Sequence, residues 1–172
     1  YKASAYGYIP MDIFKPYAER KDKAAQMDIL FKLDNADVGI LTTLTKQVAY
    51  AKGAILGDLR VTGDFNAPQL YGSIKTNKAV VKLAAFKNPL LELNLDIDFL
   101  GKKVRLKELS AQMGEGNLLA VGDLNINGNG VDNYQLDINL NKLAIDSAYT
   151  AGPLTANLVV KPQPQKSRPV IQ

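Results

Sequence analysis

The stretch from Leu91 to Phe99 reads L-E-L-N-L-D-I-D-F, with apolar and polar residues in strict alternation. Successive side chains on a β-strand point to opposite faces of the sheet, so this segment predicts a strand with one aliphatic and one polar face. The same period of two recurs up to Val160, and it also occurs earlier, from Met27 to Leu33. The sequence therefore predicts an all-β protein with one apolar sheet face, which another layer or a ligand must cover.

Turn residues separate the alternating segments at short intervals, which favours hairpins and hence an antiparallel meander of about ten short strands. Besides Leu91–Phe99, the predicted strands are Met27–Leu33, Ile55–Val61, Leu70–Ile74, Ala79–Leu83, Val104–Leu106, Leu118–Ile126, Tyr134–Leu140 and Leu154–Val160. The expected turns are Asn66–Pro68, Asn88-Pro89, Gly101, Gly114–Gly116, Gly128–Gly130 and Gly152-Pro153.

The segment Asp37–Thr45 lacks the strand pattern. Its first residue suits a helix N-cap, and Ile40, Leu41 and Leu44 would share one helix face. Gly39 and three threonines are weak helix formers, so an irregular loop is the alternative. A helix of ten residues is about 15 Å long, too short to cover a ten-strand sheet.

A dense group of basic residues follows the turn at Gly101. If Leu91–Phe99 pairs with Lys102–Leu109, the outward acidic residues of one strand face the outward basic residues of the other, which explains the group without a ligand. Such exposed pairs contribute about 0 to 1 kcal/mol each. A β-bulge between Leu106 and Leu109 would return Leu109 to the apolar face. The facing residues are expected to be Asp96 and Asp98 on one strand and Lys103, Arg105 and Lys107 on the other.

The composition argues against several classes of function. The net charge of +4 is dispersed along the chain, whereas nucleic-acid binding usually needs a denser basic surface, so we expect no nucleic-acid partner. Cysteine and histidine are absent, which removes the thiol nucleophile and the commonest acid–base residue. Most carboxylates fall on outward positions or in turns. We therefore expect no enzymatic activity, no catalytic residue and no cofactor.

Asp123, Asn125, Asn127 and Asn129 form a candidate cation site, because oxygen ligands at alternate positions are typical of calcium loops. No acidic ligand closes such a loop, and asparagine with glycine is also ordinary turn chemistry. We expect no metal here.

A short pattern occurs twice. The sequence G-D-L-R-V-T-G at Gly57–Gly63 is matched by G-D-L-N-I-N-G at Gly122–Gly128, and Gly152-Pro153-Leu154 resembles a degenerate third copy. Stacked repeats give elongated structures, although chance recurrence is an equal alternative.

The succession Gly53–Ile74, G-A-I-L-G-D-L-R-V-T-G-D-F-N-A-P-Q-L-Y-G-S-I, resembles the G-x-L-x-G-x-L-x-V-x-G-T-L-x-x-P-x-L-x-G signature of the TamB family, part of the AsmA-like group of bacterial envelope proteins. The flanking segments Asp37–Leu44 and Asn88–Leu106 resemble that family's short helix and following hairpin. The resemblance covers Met27–Ile138. It departs at Asp64, where the family commonly has a small polar residue, and in the missing membrane anchor, which suggests an excised piece of a longer protein.

The resemblance implies an elongated antiparallel sheet curled lengthwise into an open hydrophobic trough, called a β-taco, with one short helix. It also implies a periplasmic location within an inner-membrane-anchored protein, which passes phospholipid toward the outer membrane. The implied partners are phospholipid acyl chains and an Omp85-type outer-membrane barrel, with which such proteins act in autotransporter assembly. Alternation alone favours a two-layered β-sandwich instead.

Two functions follow as hypotheses. The first is lipid conduction along the trough, and the second is a scaffold whose exposed strand edges pair with a partner's strands during outer-membrane protein assembly. The expected groove lining is Ile55, Leu59, Val61, Leu70, Ile74, Leu93, Leu95, Ile97, Phe99, Val104, Leu106, Leu124, Ile126, Leu136, Ile138 and Leu140.

We expect residues 1–160 to form one β-taco segment. Residues 161–172 contain three prolines and are expected to form an extended linker or tail, with a short edge strand at Val170-Ile171 as the alternative.

Overall fold

A computed structural model describes residues 2–20, 26–127, 130–147 and 151–162, and these form one ten-stranded antiparallel sheet. The strands are β1 (Lys2–Tyr8), β2 (Met27–Asp37), β3 (Val48–Lys52), β4 (Ala54–Asp64), β5 (Ala67–Leu83), β6 (Leu90–Gly101), β7 (Lys103–Met113), β8 (Gly116–Asn127), β9 (Gly130–Asp146) and β10 (Ala151–Val160). Single 3-10 turns span Met11–Phe14, Tyr17–Glu19 and Val38–Ile40, and one short α-helix, α1, spans Leu41–Leu44.

The strands follow one another across the sheet in the order β1-β2-β4-β5-β6-β7-β8-β9-β10, with β3 paired to β5. This is the predicted meander. The sheet is open and curled, so the all-β class and the open trough with one short helix are confirmed.

Sequence patterning missed two strands and misplaced two boundaries. β1 and β3 were not expected. Ala79–Leu83 is the second part of β5, and Gly152-Pro153 lies inside β10 where a turn was expected. The predicted tail falls mostly on residues 163–172, including the alternative strand at Val170-Ile171, which lie outside the described residues.

The helix expected between Asp37 and Thr45 is present. The Asp37 carboxylate accepts a hydrogen bond from the Gly39 backbone N–H at 2.8 Å, which caps the 3-10 turn that leads into α1. The loop alternative is therefore wrong. Among the described residues, no helix is both long and apolar enough to cross a bilayer.

A band of β-bulges curls the sheet. Register shifts interrupt the strand pairing close to one row of paired residues, Ile55–Thr76–Leu95–Leu109. The shift between Leu106 and Leu109 confirms the predicted bulge. Because a bulge bends its strand and increases its twist, bulges in β2, β5, β6, β7 and β9 bend the sheet as a whole. Residues with a positive φ in this band are Asn35, Lys78, Glu92 and Lys142.

Close strand approach at glycines adds to the bend. Gly57 and Gly122, the first residues of the two repeat copies, both lie on the concave side. A Cβ added to either would lie 2.2 Å from a carbonyl oxygen of the next strand, that of Ser73 or Gln135. Only glycine permits this approach.

We expect Gly122→Ala to lower the free energy of unfolding by about 1 to 3 kcal/mol, because the added methyl overlaps backbone that cannot move without breaking pairing. Gly130→Ala is the control, since its nearest neighbour to an added Cβ, the Asn127 carbonyl oxygen, is 3.8 Å away. Urea denaturation measures both. Equal stability of the two variants would contradict a close approach at Gly122.

Candidate functional site

The concave, or inner, face of the sheet is defined by rows of directly paired residues, since cross-strand partners lie on the same face. Two such rows are Ile29–Val61–Leu70 and Leu33–Gly57–Ile74–Ile97–Leu106–Gly122–Leu136–Val160. The rows cross almost the whole sheet, so the inner face is continuous.

The inner face carries no charged residue among the described strand pairs. Its members are Ala, Gly, Val, Leu, Ile, Met, Phe and Pro, with Thr76 and Tyr134 as the polar exceptions. Thr76 is buried, and its hydroxyl donates to the Ala54 carbonyl at 2.7 Å. The surface therefore offers hydrocarbon contact and almost no hydrogen bonding.

The charged side chains of these paired strands lie on the opposite, outer face of the sheet. Arg60 donates two hydrogen bonds to Asp28, at 2.8 and 2.6 Å, and these lower the pKa of Asp28. Burial alone would raise the pKa of Asp96, but Lys75 at 2.9 Å and Lys107 at 3.1 Å hold it below its ordinary value. These ion pairs stabilise charged side chains against one another and keep them away from the inner face.

The expected ion pairs across the β6–β7 hairpin form only in part. Lys107 contacts both Asp96 and Asp98 at 3.1 Å. Lys103 and Arg105 instead contact Asp123 on β8, at 3.1 and 3.0 Å. Arg105 does lie opposite Asp98, as expected, whereas Lys103 lies opposite Leu100. Both form their ion pairs with Asp123 because β8 pairs with the other side of β7 and presents a carboxylate at the same level as Arg105.

Asp123 is therefore engaged by two cations, and Asn125 and Asn127 continue a regular strand instead of a loop. The Asn129 position lies outside the described residues. Among the residues that are described, no cluster of His, Cys, Asp or Glu could hold a metal ion.

One end of the trough is filled by its own side chains, and we call it the closed end. Here α1, β3 and the longer strands pack into one apolar cluster. Its buried members are Val38, Ala51, Ala79, Val81, Leu90, Leu93, Ala111, Met113, Leu140 and Leu143.

A strap ties the closed end together. The turn after β5 reaches across to the end of β9, where Phe86 forms an isolated β-bridge with Ser147. The Lys87 N–H donates to the Asp146 carbonyl at 2.7 Å and its ammonium lies 3.0 Å from the Asp146 carboxylate. Asn88 also donates to the Ala144 carbonyl at 3.2 Å. Strands β5 to β9 are thus joined around the apolar cluster at this end.

The sixteen expected lining residues all lie on the inner face, and none of them is exposed. They divide into two groups. Five belong to or pack against the closed-end cluster: Ile55, Leu93, Leu95, Ile138 and Leu140. The other eleven form what we call the open half, and of these only Val104 is buried while the rest are half-buried. The open half comprises Leu59, Val61, Leu70, Ile74, Ile97, Phe99, Val104, Leu106, Leu124, Ile126 and Leu136.

Sequence reasoning left several inner-face residues out of the lining. Ile29, Phe31 and Leu33 pair with β4 beside the open half. Val160 pairs with Leu136 and extends the open half on β10, whereas Leu158 pairs with Ile138 of the closed-end group. The sequence already showed these residues alternating with polar ones, and this pattern was sufficient to include them in the lining. Phe31 on β2, next to the first strand, and Leu158 and Val160 on the last strand are exposed large apolar side chains, so the inner face is uncovered near both edges of the described sheet.

Comparison with known proteins gave no match to a family model, to a curated protein or to a solved structure.

Proposed function

We propose that the open half binds the acyl chains of lipids. The observation that carries this proposal is an inner face without charge, built from half-buried aliphatic side chains and left without a second layer in the described part of the chain. A contiguous apolar surface that stays partly accessible to solvent is typical of an interaction site.

The chemistry of the wall favours hydrocarbon over a polar solute. Each methylene moved from water onto such a wall contributes about 0.8 kcal/mol, independent of where it lies along the chain. A polar solute would lose its hydrogen bonds to water and find few replacements. The wall therefore suits acyl chains in general and does not distinguish headgroups.

The closed end limits where lipid can lie. On β4 the open half runs from Gly57 to Gly63, which is about 20 Å at 3.3 Å per residue. The closed-end cluster around Met113 fills the rest of the trough. We therefore place the acyl chain across the open half, with access from the sheet edges and from the end that carries the β4–β5 and β6–β7 turns.

The TamB-like signature at Gly53–Ile74 extends the proposal to a place in the cell. We infer a periplasmic segment of an inner-membrane-anchored protein that moves phospholipid between the two membranes. Its partner in outer-membrane protein assembly would be an Omp85-type barrel. Conduction of this kind requires no catalytic residue.

Site-specific photo-crosslinking tests lipid binding directly. A photo-reactive amino acid at Leu124, on the inner face, is expected to give lipid adducts after incubation with phosphatidylethanolamine vesicles. The same amino acid at Asn125, the adjacent exposed residue on the outer face, is the matched control and should give none. Mass spectrometry distinguishes the adducts. Adducts at neither position, or equally at both, would refute the proposed site.

A charge on the inner face should abolish loading. We expect Leu124→Glu to reduce bound lipid by at least about tenfold, because a carboxylate among acyl chains loses hydration worth more than 1.4 kcal/mol. Asn125→Glu, one residue away, should load normally. Leu59→Glu on β4 is a second variant, and circular dichroism confirms that each variant is folded. Normal loading of both folded inner-face variants would contradict the proposal.

A further inference from the structure

Four exposed apolar side chains cluster at the end of the trough that carries the β4–β5 turn, and we call this cluster the tip. Met11 is 80% exposed, Phe14 58%, Phe65 50% and Ile9 44%. Phe65 directly follows β4, and the centroids of the Phe65 and Phe14 rings lie 5.5 Å apart. The other tip residues lie between β1 and β2, two strands that pair with each other. The tip is therefore built from two connections at the same end of the sheet.

The segment that carries most of the tip is anchored to the sheet. The side chain of Arg20 is only 1% exposed and donates to the Asp64 carboxylate at the end of β4. Its Nε donates to the Lys15 carbonyl at 3.0 Å, close to Phe14 in the chain. Because moving a guanidinium out of water costs free energy, this anchor is a specific feature of the fold. It fixes a segment whose apolar side chains remain in solvent, as is typical of an interaction surface.

The tip offers hydrocarbon contact and almost no hydrogen bonding. Its side chains are two phenylalanines, one methionine and one isoleucine. The charges beside Phe14 are paired, since the Lys15 ammonium lies 2.5 Å from the Asp12 carboxylate. The exposed carboxylate of Glu19 lies further along the segment, after the tip residues. A protein partner is selected by complementary charge, whereas transfer into hydrocarbon requires only apolar surface. The composition of the tip therefore favours lipid.

The tip also adjoins the open half. On β2, β4 and β5 the last row of the inner face at this end is Met27–Gly63–Pro68, and Gly63 lies two residues before Phe65. Met27 is 6% exposed, so the inner face is well packed at this corner. The next row inward is Ile29–Val61–Leu70, beside the proposed acyl-chain site. The path from the tip to that site is therefore short and apolar.

From these observations we infer that the tip inserts into the surface of a lipid bilayer. The choice of partner rests on the proposed function, because a site for acyl chains needs a route from a membrane. Insertion removes the four side chains from water, which is favourable whatever the headgroup. Lipid then enters the open half at the end of the trough that carries the turns.

Vesicle flotation tests the insertion. The natural chain is expected to float with phosphatidylcholine vesicles. Met11→Asp and Phe14→Asp should each weaken this binding by at least about tenfold, because a carboxylate resists transfer into hydrocarbon. Leu44→Asp is the matched control, since Leu44 is 72% exposed but lies on α1 at the closed end, and it should bind normally. Circular dichroism confirms that each variant is folded. Flotation that is equal in all variants, or absent in the natural chain, would overturn the inference.

A fluorophore that senses its environment reports which residues enter the bilayer. Because the chain has no cysteine, Met11→Cys and Leu44→Cys can each be labelled at one position. On addition of vesicles, a blue shift is expected at position 11 and not at position 44. The absence of a shift at position 11 would contradict insertion. A shift at position 11 that needs only a higher protein concentration would also contradict it, because it would indicate docking of a second copy.

Loading from two lipid sources separates this inference from the proposed function. With a photo-reactive amino acid at Leu124, Phe14→Asp should lower the initial rate of adduct formation from vesicles by at least about tenfold, in line with its loss of binding. Adducts with a short-chain phosphatidylcholine dissolved as monomers should be unchanged. Equal rates from vesicles in both chains would overturn the role of the tip. Adducts from neither source in the natural chain would refute the acyl-chain site, while flotation still decides whether the tip binds a bilayer.

Discussion

Met113→Ala is expected to lower the free energy of unfolding by about 3 kcal/mol, as is typical when a buried methionine is cut back and its neighbours cannot close the cavity. Met113 ends β7 in the middle of the closed end and is 2% exposed. It packs among residues of four other strands, β5, β6, β9 and β3, whose positions are fixed by pairing. Urea denaturation followed by circular dichroism measures the loss.

Met11→Ala is the matched control. Met11 is 80% exposed, so the same truncation should change stability by less than about 0.5 kcal/mol. Met113→Leu, which conserves volume, should cost less than about 1.5 kcal/mol. If Met113→Ala and Met11→Ala unfold at the same urea concentration, the closed end is not a packed core.

Asp64→Asn is expected to destabilise the fold by about 3 kcal/mol. Its partner Arg20 has a side chain that is only 1% exposed and donates to the Asp64 carboxylate, while its Nε donates to the Lys15 carbonyl at 3.0 Å. Removing the carboxylate charge takes one charged partner away from the buried guanidinium, which costs more than the pair itself contributes. Asp58→Asn on the same strand, β4, is the exposed control and should have almost no effect.

This pair also predicts a pH dependence. The hydrogen bond from Arg20, with a second from the Asn66 backbone N–H, lowers the pKa of Asp64 from its ordinary value of 3.8. A lowered pKa means that the stabilisation is complete above pH 3.8 and is lost as the pH falls through the lower folded-state value. The stability difference between the natural chain and Asp64→Asn should therefore shrink in acid.

The double variant Arg20→Met/Asp64→Asn tests the cause. Replacing the guanidinium by an apolar side chain removes the buried charge that has lost its Asp64 partner, and this should recover part of the stability lost in Asp64→Asn. If the double variant is less stable than Asp64→Asn, then Arg20 stabilises the fold mainly through other contacts. A stability difference that is constant down to pH 2 would contradict the role of the Asp64 charge.

Alternation predicted the strands that have strong two-residue patterns, and it failed where the pattern was weak or interrupted. β1 was missed because its inner residues are Ala3, Ala5 and Gly7, which carry little apolar signal. β5 was divided in two because the phase changes near Lys78, where the structure has a bulge and not a turn. A phase change in the sequence does not reveal which of the two it is.

The inner face was predictable residue by residue, but its division into two parts was not. Leu93 and Leu124 have equivalent patterns in the sequence, yet Leu93 lies in the closed-end cluster and Leu124 in the open half. The difference comes from packing at the closed end, where contacts such as the Phe86–Ser147 bridge join residues far apart in the chain. Local periodicity contains no information about such a contact. The ion pairs of Lys103 and Arg105 with Asp123 could not be predicted for the same reason.

The bulge band has a consequence for how such a sheet can grow. Since β2, β5, β6, β7 and β9 each contain their own bend, the cross-section of the groove does not depend on any single strand. A hairpin appended at either edge would need only one bulge at the matching level to prolong the groove at constant width. Groove length can therefore change by duplication of hairpins, without redesign of the curvature.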